Sequence, residues 1–315
     1  MKTPLFLLSL NEMEKIKMRQ AENKVFIEGI LSENNLEVKE YNKKNADGTT
    51  KKAEAIMGTV TIKVPFEDKT VVVKPKFFIN KYKNDGNSNP VFEKLIKTKE
   101  NLVSIAASNE EEASRVRVSG ADLRENIFVG RNGEIVSMTP QINASFLDIV
   151  KKEDFKPAAN FTVEFVIGQI IDEVDNDGIE TGRVKVVGII PTYGNNVQVL
   201  NFYSGNANVK DAISQYWDKG NTVSAKGNLD FTVNTITKTI EMAFGDNEER
   251  TYTSTKNELI ITGGSEPIDG EREFGTSEIE EACAKRKAQT EKIMQDWKNK
   301  QNKSSISNKM ADLGF

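Results

Sequence analysis

The chain has 315 residues with 37% hydrophobic side chains and a formal net charge of −4, which suits a globular protein of about two domains. It contains no histidine and a single cysteine, Cys283. These absences exclude Ser-His-Asp and Cys-His catalysis, histidine-ligated and cysteine-rich metal sites, and intramolecular disulfides. The lack of disulfides is compatible with a reducing cytoplasm, which is the location that we predict.

Charge is unevenly distributed along the chain. Residues 1–150 carry 23 Lys/Arg and 21 Asp/Glu, residues 151–263 carry 11 and 16, and residues 264–315 carry 9 and 10. The first segment is therefore the better candidate for binding a polyanion, while the overall acidity limits unspecific binding.

Residues 1–22 are predicted to form an N-terminal extension. The apolar run from Leu5 to Leu8 is short for a signal peptide, and acidic residues follow it without a small-residue cleavage site. We expect the extension to pack on the folded protein or on a partner, with weak helical periodicity over residues 10–22. No stretch of the chain approaches the roughly 20 apolar residues of a membrane span, so no membrane association is expected.

Residues 23–150 have the pattern of strands with one helix after the third. The first strand begins near Val25, a polar hairpin with an Asp47-Gly48 turn spans residues 41–52, and a second strand alternates over residues 59–64. In the third strand, Val71, Val73, Phe77 and Ile79 share one face, and Lys74, Lys76, Phe78, Asn80 and Tyr82 share the other. Pro75 cannot donate a ladder hydrogen bond and therefore predicts a bulge or an edge.

A helix is predicted over residues 89–103, where Asn89 supplies the N-cap and Pro90 occupies the first turn. A fourth strand, a hairpin that turns at Asn132-Gly133 and a closing strand complete this unit.

Residues 160–263 repeat the same order of elements after a linker at residues 151–159. Both third strands end in paired aromatics, Phe77-Phe78 and Phe202-Tyr203. The second helix is predicted at residues 208–217, with Asn208 as its cap and Tyr216 and Trp217 in the core. The first hairpin of this unit, DNDGIE, also suggests a calcium loop, but the full spacing is missing and an ordinary turn is predicted. A repeat of roughly 100 residues indicates a duplicated domain.

Residues 264–315 are predicted to contain an acidic flexible linker, a helix from about Ser277 to Lys300, and a flexible tail. Acids concentrate between residues 266 and 281 and bases between residues 285 and 309. The helix could therefore dock on a neighbouring subunit, contact DNA through its basic part, or be solvated.

Five strands with a helix between the third and the fourth is the order of an oligonucleotide-binding barrel, the OB-fold. We predict a mainly β protein with two five-stranded OB-fold-like barrels in tandem, at residues 23–150 and 160–263, with short helices and a C-terminal helix and tail. The segment RVRVSGADLRENIFVGRNGEIVSMTPQINASFLDIV resembles the phage and bacterial single-stranded-DNA-binding proteins in its strand, glycine, hairpin and closing strand.

This resemblance implies a protein that coats single-stranded DNA in DNA replication or recombination. Such proteins often recruit replication proteins through an acidic tail with a terminal phenylalanine. Leu313 and Phe315 would form that partner-binding tip, although Asp312 is the one acidic residue among the last ten. The histidine-free, Lys- and Asn-rich composition suggests a bacteriophage origin. Self-association is also open.

Binding a single strand without reading its sequence requires cations along the phosphates and flat side chains that stack on bases. In the first barrel the candidate nucleic-acid-binding residues are Lys43, Lys44, Lys51, Lys52, Lys63, Lys74, Lys76, Phe78, Tyr82, Arg115, Arg117, Arg124 and Arg131. In the second barrel they are Arg183, Lys185, Tyr193, Tyr203 and Lys226. Each group also has a structural alternative. Phe78 would enter the core if Pro75 shifted the register, Tyr82 could close the barrel mouth, and the charged hairpin and the arginines could be ordinary surface.

The sequence therefore predicts a protein that is not an enzyme and that binds and protects single-stranded DNA largely without sequence specificity. Chemistry that uses only carboxylates and magnesium is compatible with the composition, but no convincing carboxylate constellation occurs, and neither a cofactor nor a metal is predicted. Two alternatives remain: a virion structural or protein-interaction module built from OB-like barrels, and an RNA-binding protein, which uses the same stacking platforms.

Overall fold

Strands dominate the structure, so the predicted mainly β class is confirmed. The computed structural model describes residues 18–44, 48–175, 177–240, 244 and 248–312, with the backbone alone at residues 234, 236, 238, 248 and 302–312. Asp47 of the predicted Asp47-Gly48 turn and most of the N-terminal extension therefore lie outside the described residues. Residues 18–22 are not helical.

The first barrel follows the OB order of strands. Its elements are β1 (Asn23–Asn34), β2 (Glu37–Lys44), β3 (Thr50–Pro65), β4 (Thr70–Val73), β5 (Lys76–Asn80), α1 (Pro90–Glu100), β6 (Arg115–Val129) and β7 (Ile135–Val150). The antiparallel pairs β1–β3, β3–β5, β6–β7 and β1–β6 and the parallel pair β5–β7 close a five-stranded ring. Pro75 separates β4 from β5, as the missing donor predicts.

The second barrel repeats this ring. Its elements are β8 (Ala158–Val174), β9 (Glu180–Thr192), β10 (Asn196–Ser204), α2 (Ala207–Tyr216), β11 (Thr222–Ile240) and β12 (Glu248–Gly264), and α3 (Thr276–Asp312) follows it. The pairs β8–β9, β9–β10, β11–β12 and β8–β11 are antiparallel, and β10–β12 is parallel. The chain's own strand pairing thus confirms two OB-like barrels in tandem.

The two barrels share one continuous sheet. The first half of β1 pairs with β8 from Asn23↔Val163 to Glu28↔Ala158, which joins all 12 strands. Because backbone hydrogen bonds cross this junction, the division into separate domains at residues 150 and 160 stays a prediction.

Alternation along the strands fills each barrel with apolar side chains. In the second barrel the rings of Phe165 and Phe202 stack with centroids 4.8 Å apart, and Trp217 meets Phe165 edge-on at 5.9 Å. Trp217 is buried as predicted, but Tyr216 is 49% exposed, so its predicted place in the core is wrong. Tyr216 is the last residue of α2, whereas Trp217 follows it with extended backbone and donates from its indole to the carbonyl of Ser265 at 2.9 Å.

The two barrel helices test the predicted caps. Asn89 accepts the N–H of Val91 and Pro90 opens α1, which confirms that start. The cap predicted for the second helix is wrong, because Asn206, not Asn208, accepts the N–H of Val209 at 3.0 Å. Asparagine is a preferred N-cap residue, so the sequence alone does not distinguish Asn206 from Asn208. In the structure the helical backbone begins directly after Asn206.

The segment between β12 and α3 is packed, in contrast to the flexible linker predicted from its acidic composition. Phe274 is buried, and its N–H donates to the hydroxyl of Thr222 at 3.0 Å. α3 then begins at Thr276, one residue before the predicted start, and continues past Lys300 to Asp312. Leu313 and Phe315 lie outside the described residues.

A buried carboxylate ties this segment to the N-terminal side of the chain. Glu164 accepts hydrogen bonds from the guanidinium of Arg19 at 2.7 Å, from the backbone N–H of Glu22 at 3.0 Å, and from Arg272. Burial alone would raise the pKa of Glu164, but the hydrogen bonds from Arg19 and Glu22 and the charge of Arg19 outweigh it, so this pKa lies below its usual value of 4.5.

This lowered pKa predicts acid sensitivity. Because Glu164 binds its proton more weakly in the folded chain than in the unfolded chain, its contribution to stability is complete above the unfolded pKa and is lost as the pH falls through the folded one. We expect the free energy of unfolding, measured by urea titration, to decrease below about pH 4.5. The Glu164→Gln variant should be less stable at neutral pH and should lose less stability on acidification. An equally steep acid loss in that variant would contradict this role.

The C-terminal helix spans both barrels. Trp297 of α3 lies against Gly133 at the tip of the β6–β7 hairpin, where a glycine leaves room for the indole. Nearer its start, the guanidinium of Arg286 donates to both oxygens of Glu125 on β6. Glu125 is itself buried and also accepts the backbone N–H groups of Met138 on β7 and Val199 on β10, each at 2.9 Å. One carboxylate thus joins the hairpin, the second barrel and α3.

Candidate nucleic-acid interface

The outer face of β2, β3 and β5 carries exposed aromatic side chains. Phe77 is fully buried, whereas its neighbour Phe78 is 48% exposed, as the alternation of the third strand predicts. Met57 pairs with Phe78 and Ala55 with Asn80 across β3 and β5, so these side chains share the outer face. The alternative that Pro75 turns Phe78 into the core is therefore excluded.

A second ring orients Phe78. Tyr41 of β2 meets it edge-to-face, with ring centroids 5.2 Å apart and an interplanar angle of 72°. The Tyr41 hydroxyl donates to the side-chain oxygen of Asn80 at 2.5 Å. Because Ala53 and Ala55 are the residues of β3 opposite Tyr41 and Asn80, small side chains leave space for these larger groups.

One end of this face is a small basic groove of about 130 Å³. It is lined by Lys43, Lys51, Lys52, Ala53, Glu54, Asn80, Tyr82 and Lys83. Tyr82 is 54% exposed, which places a flat ring among these lysines. Glu54 pairs with Lys81 at 3.0 Å, and its hydrogen bond and charge raise the pKa of Lys81. The acid in the groove is thereby neutralised, and the local balance is cationic.

The other end is a wider groove of about 350 Å³ on the outer face of β5, β7 and β6. It is lined by Lys76, Phe78, Ile79, Gly120, Asp122, Arg124, Gln141, Asn143, Ala144 and Ser145. The register pairs Lys76 with Asn143 and Asn143 with Asp122, so a polar row crosses three strands. Arg124 contacts both oxygens of Asp122, at 3.0 and 2.5 Å, and offsets its charge. Phe78 lines the wide groove, and Asn80, two residues further along β5, lines the small basic groove. Phe78 can therefore accept a base while the cations of the two grooves face phosphates.

The remaining candidates of the first barrel are divided. Lys44 lies on the exposed hairpin, Lys63 on the outer face of β3, Lys74 on the exposed turn before β5, and Arg131 at the tip of the β6–β7 hairpin. By contrast, Arg115 donates to the carbonyls of Glu110, Glu111 and Ala113. Arg117 donates to the buried Glu28 at 2.7 Å. Arg115 and Arg117 therefore bind carbonyl and carboxylate groups of the protein itself. This agrees with the alternative that they are ordinary surface residues.

The corresponding face of the second barrel is neutralised by its own carboxylates. Arg183 contacts Glu173 at 2.6 Å and Glu258 at 2.8 Å, and these hydrogen bonds raise its pKa further above the usual range. It also covers Tyr203, whose ring centroid lies 5.1 Å from the guanidinium carbon. Burial, followed by the charges of Glu258 and Glu173, raises the pKa of Tyr203. A base therefore has less access to Tyr203 than to Phe78.

Three other residues proposed for the second barrel lie on different elements. Lys185 is half-buried opposite Tyr203 on β9, Tyr193 is 74% exposed at the β9–β10 turn, and Lys226 is exposed on β11. The first hairpin of this barrel closes as a turn, because Asp175 accepts the N–H groups of Asp177 and Ile179 with one oxygen. In the described part of the chain, no cluster of three or more acidic or cysteine side chains could hold a metal ion.

Sequence reasoning missed Tyr41, Asn143 and Gln141. Tyr41 lies in a segment whose composition predicts only a polar hairpin, and its position beside Phe78 depends on the β2–β3 register, which composition does not reveal. Asn143 and Gln141 come from β7, whose parallel pairing with β5 is formed between residues far apart in the chain. Among the helices that the structure describes, none has the apolar length for a membrane crossing.

Comparison with known proteins gives a family and several structural neighbours. The crystal structure of the wild-type single-stranded DNA binding protein from Thermus aquaticus is similar at 12% identity and a TM-score of 0.46, covering 82% of this chain and 99% of that one. A deletion mutant of the same protein gives 12% identity and a TM-score of 0.41, covering 80% and 97%. No curated protein sequence matches significantly. The YorF family model matches residues 21–296, and the chain therefore belongs to the YorF family.

Proposed function

We propose that this protein binds single-stranded DNA along the outer face of its first barrel, without reading the base sequence. The observation that carries the proposal is Phe78, which is half exposed, contacts Tyr41 edge-to-face and lines the wide groove, on the same strand as Asn80 of the small basic groove. Bases that have lost their duplex partners gain free energy by stacking on such rings, while lysines follow the phosphates.

The geometry favours single strands over a duplex. The aromatic rings can stack only on bases whose faces are free, and in a duplex these faces are covered by the neighbouring base pairs. Several polar groups of the wide groove are paired with each other, Arg124 with Asp122 and Gln141 with Asn143, so they offer little direct readout of base edges. Coating and protecting exposed strands in DNA replication or recombination, in a bacteriophage, is the role that we propose for this binding.

The test is fluorescence anisotropy of the full chain with oligo-dT, a duplex of equal length and oligo-U, at two salt concentrations. We expect tight binding of oligo-dT, weak binding of the duplex, and a lower affinity at the higher salt. No nucleic-acid binding at the lower salt, together with a defined protein oligomer, would contradict the proposal and support a virion or protein-assembly module. A clear preference for oligo-U would contradict the DNA assignment and indicate an RNA-binding protein.

Salt dependence tests the basic groove separately. For single strands the slope of log affinity against log salt is about −0.7 for each phosphate contact. Replacing Lys51 and Lys52 with alanine should make this slope shallower by about 0.7 to 1.4, because one or two contacts are lost. Lys151 and Lys152 form an equally exposed adjacent pair in the linker between the barrels and provide the matched control. An unchanged slope for Lys51→Ala/Lys52→Ala, or an equal change for the linker pair, would contradict the role of the groove.

A further inference from the structure

The wide groove of the first barrel continues onto the junction of the two barrels. A further depression of about 430 Å³ lies across β6, β1 and β8, and its lining includes Lys24, Phe26, Gly120, Asn160 and Thr162. Gly120 lines both this depression and the wide groove. Its φ is +57°, and a Cβ at this position would approach the ring of Phe146 to 2.6 Å, so only glycine fits here without strain.

An aromatic ring stands in this junction depression. Phe26 is 39% exposed although it is a phenylalanine in the middle of a shared sheet. It pairs with Asn160 of β8, which in turn pairs with Asn228 of β11. Directly opposed residues lie on the same face of a sheet. Phe26, Asn160 and Asn228 therefore form one row that crosses from the first barrel to the second.

A cationic row runs beside it. Lys24 pairs with Thr162 of β8, and Thr162 pairs with Lys226 of β11. Both lysines are exposed, and Lys24 also contacts Glu22 at 2.6 Å. The nearby carboxylate of Glu28 is buried and held by Arg117, whose guanidinium carbon lies 5.9 Å from the Phe26 ring centroid. The surface around Phe26 thus combines a flat ring with the exposed cations Lys24 and Lys226. The nearby acids Glu22 and Glu28 are both neutralised in ion pairs.

We propose that Phe26, Lys24 and Lys226 form a second stacking and phosphate-binding station, which receives the strand leaving the first-barrel groove and leads it onto the second barrel. This inference rests on the proposed function and extends its path. From β5 the path crosses β7, β6, β1 and β8 to reach β11, which amounts to about 24 Å at about 4.8 Å for each pair of neighbouring strands. A short oligonucleotide occupies only the first-barrel groove, whereas a long one reaches both stations.

The experiment compares the affinities of the full chain for oligo-dT of about 4 and about 25 nucleotides, lengths at the lower limit of the range that one OB barrel binds and well above that range. Phe26→Ala should weaken the long oligonucleotide about fivefold or more and change the short one less than about twofold. Phe78→Ala should weaken both. Tyr216→Ala, on α2, removes an aromatic ring of similar exposure that lines neither groove, and should change neither affinity.

The Phe26→Trp variant controls for the possibility that Phe26→Ala loses affinity because it misfolds. It keeps a flat ring, so the long oligonucleotide should bind with near wild-type affinity and quench the added indole fluorescence, while the short one should not quench it. If Phe26→Ala left both affinities unchanged while Phe78→Ala weakened both, the junction station would be overturned and the proposed function would stand. An equal loss for both lengths in Phe26→Ala, or quenching of the indole by the short oligonucleotide, would also overturn it. If Phe78→Ala changed neither affinity, the proposed first-barrel site itself would fail.

Discussion

Replacing Phe78 with alanine is expected to weaken oligo-dT binding by about 5- to 160-fold, because one stacked base contributes about 1–3 kcal/mol. Phe78 is exposed, so its loss removes little core packing and the melting temperature should change only slightly. The affinity is measured by anisotropy and the fold by thermal unfolding. A wild-type affinity in a folded Phe78→Ala protein would contradict the site.

The second barrel supplies an internal control for this result. Tyr203 holds the equivalent position in the second barrel, one residue after the buried Phe202, but Arg183 covers it and is itself fixed by two carboxylates. We therefore expect the oligo-dT affinity of Tyr203→Ala to lie within about twofold of the wild-type value. A base stacked on Tyr203 would make this loss about fivefold or more. A loss as large as that of Phe78→Ala would place the strand on both outer faces.

Replacing Glu125 with alanine should produce the largest loss of stability. Its buried carboxylate joins Arg286 of α3 to the N–H groups of Met138 and Val199, and removing one partner of such a pair leaves a buried charge and donors without acceptors. We expect a loss of about 3–5 kcal/mol in the free energy of unfolding, measured by urea titration.

The matched control is Glu153→Ala, which breaks an exposed contact with Lys151 at 3.9 Å. Exposed pairs contribute little, so its unfolding curve should overlay that of the wild type. Glu125→Gln keeps one acceptor oxygen and should fall between the wild type and Glu125→Ala. Equal curves for Glu125→Ala and Glu153→Ala would show that the junction does not hold α3 in place.

Local rules predicted much of the fold. The period of two in the third strand determines that Phe77 faces inward and Phe78 outward, and the paired glycine and asparagine signals place the hairpin turn at Gly133. The repeat then allowed the OB order to be recognised twice, because both barrels use the same five-stranded ring.

The site was only partly predictable, because it depends on pairs that are distant in the sequence. Arg183 has the outward position of a phosphate-binding residue, but Glu258, 75 residues away, occupies it in the folded chain. Tyr41 and Phe26 showed no local signal, since their roles come from the β2–β3 register and from the β1–β8 junction. The alternation of residues along a strand determines which face of the sheet a side chain lies on. Contacts with residues distant in the sequence determine whether that side chain is available to bind a ligand.

The most direct measurement of the central claim is photo-cross-linking of a 5-iodouracil-substituted oligonucleotide to the wild-type chain, followed by peptide mass spectrometry. We predict that cross-links concentrate on the aromatic residues of the first barrel's outer face, at Tyr41, Phe78 and Tyr82. Cross-links confined to the second barrel around Tyr203, or none on β2 and β5, would contradict it.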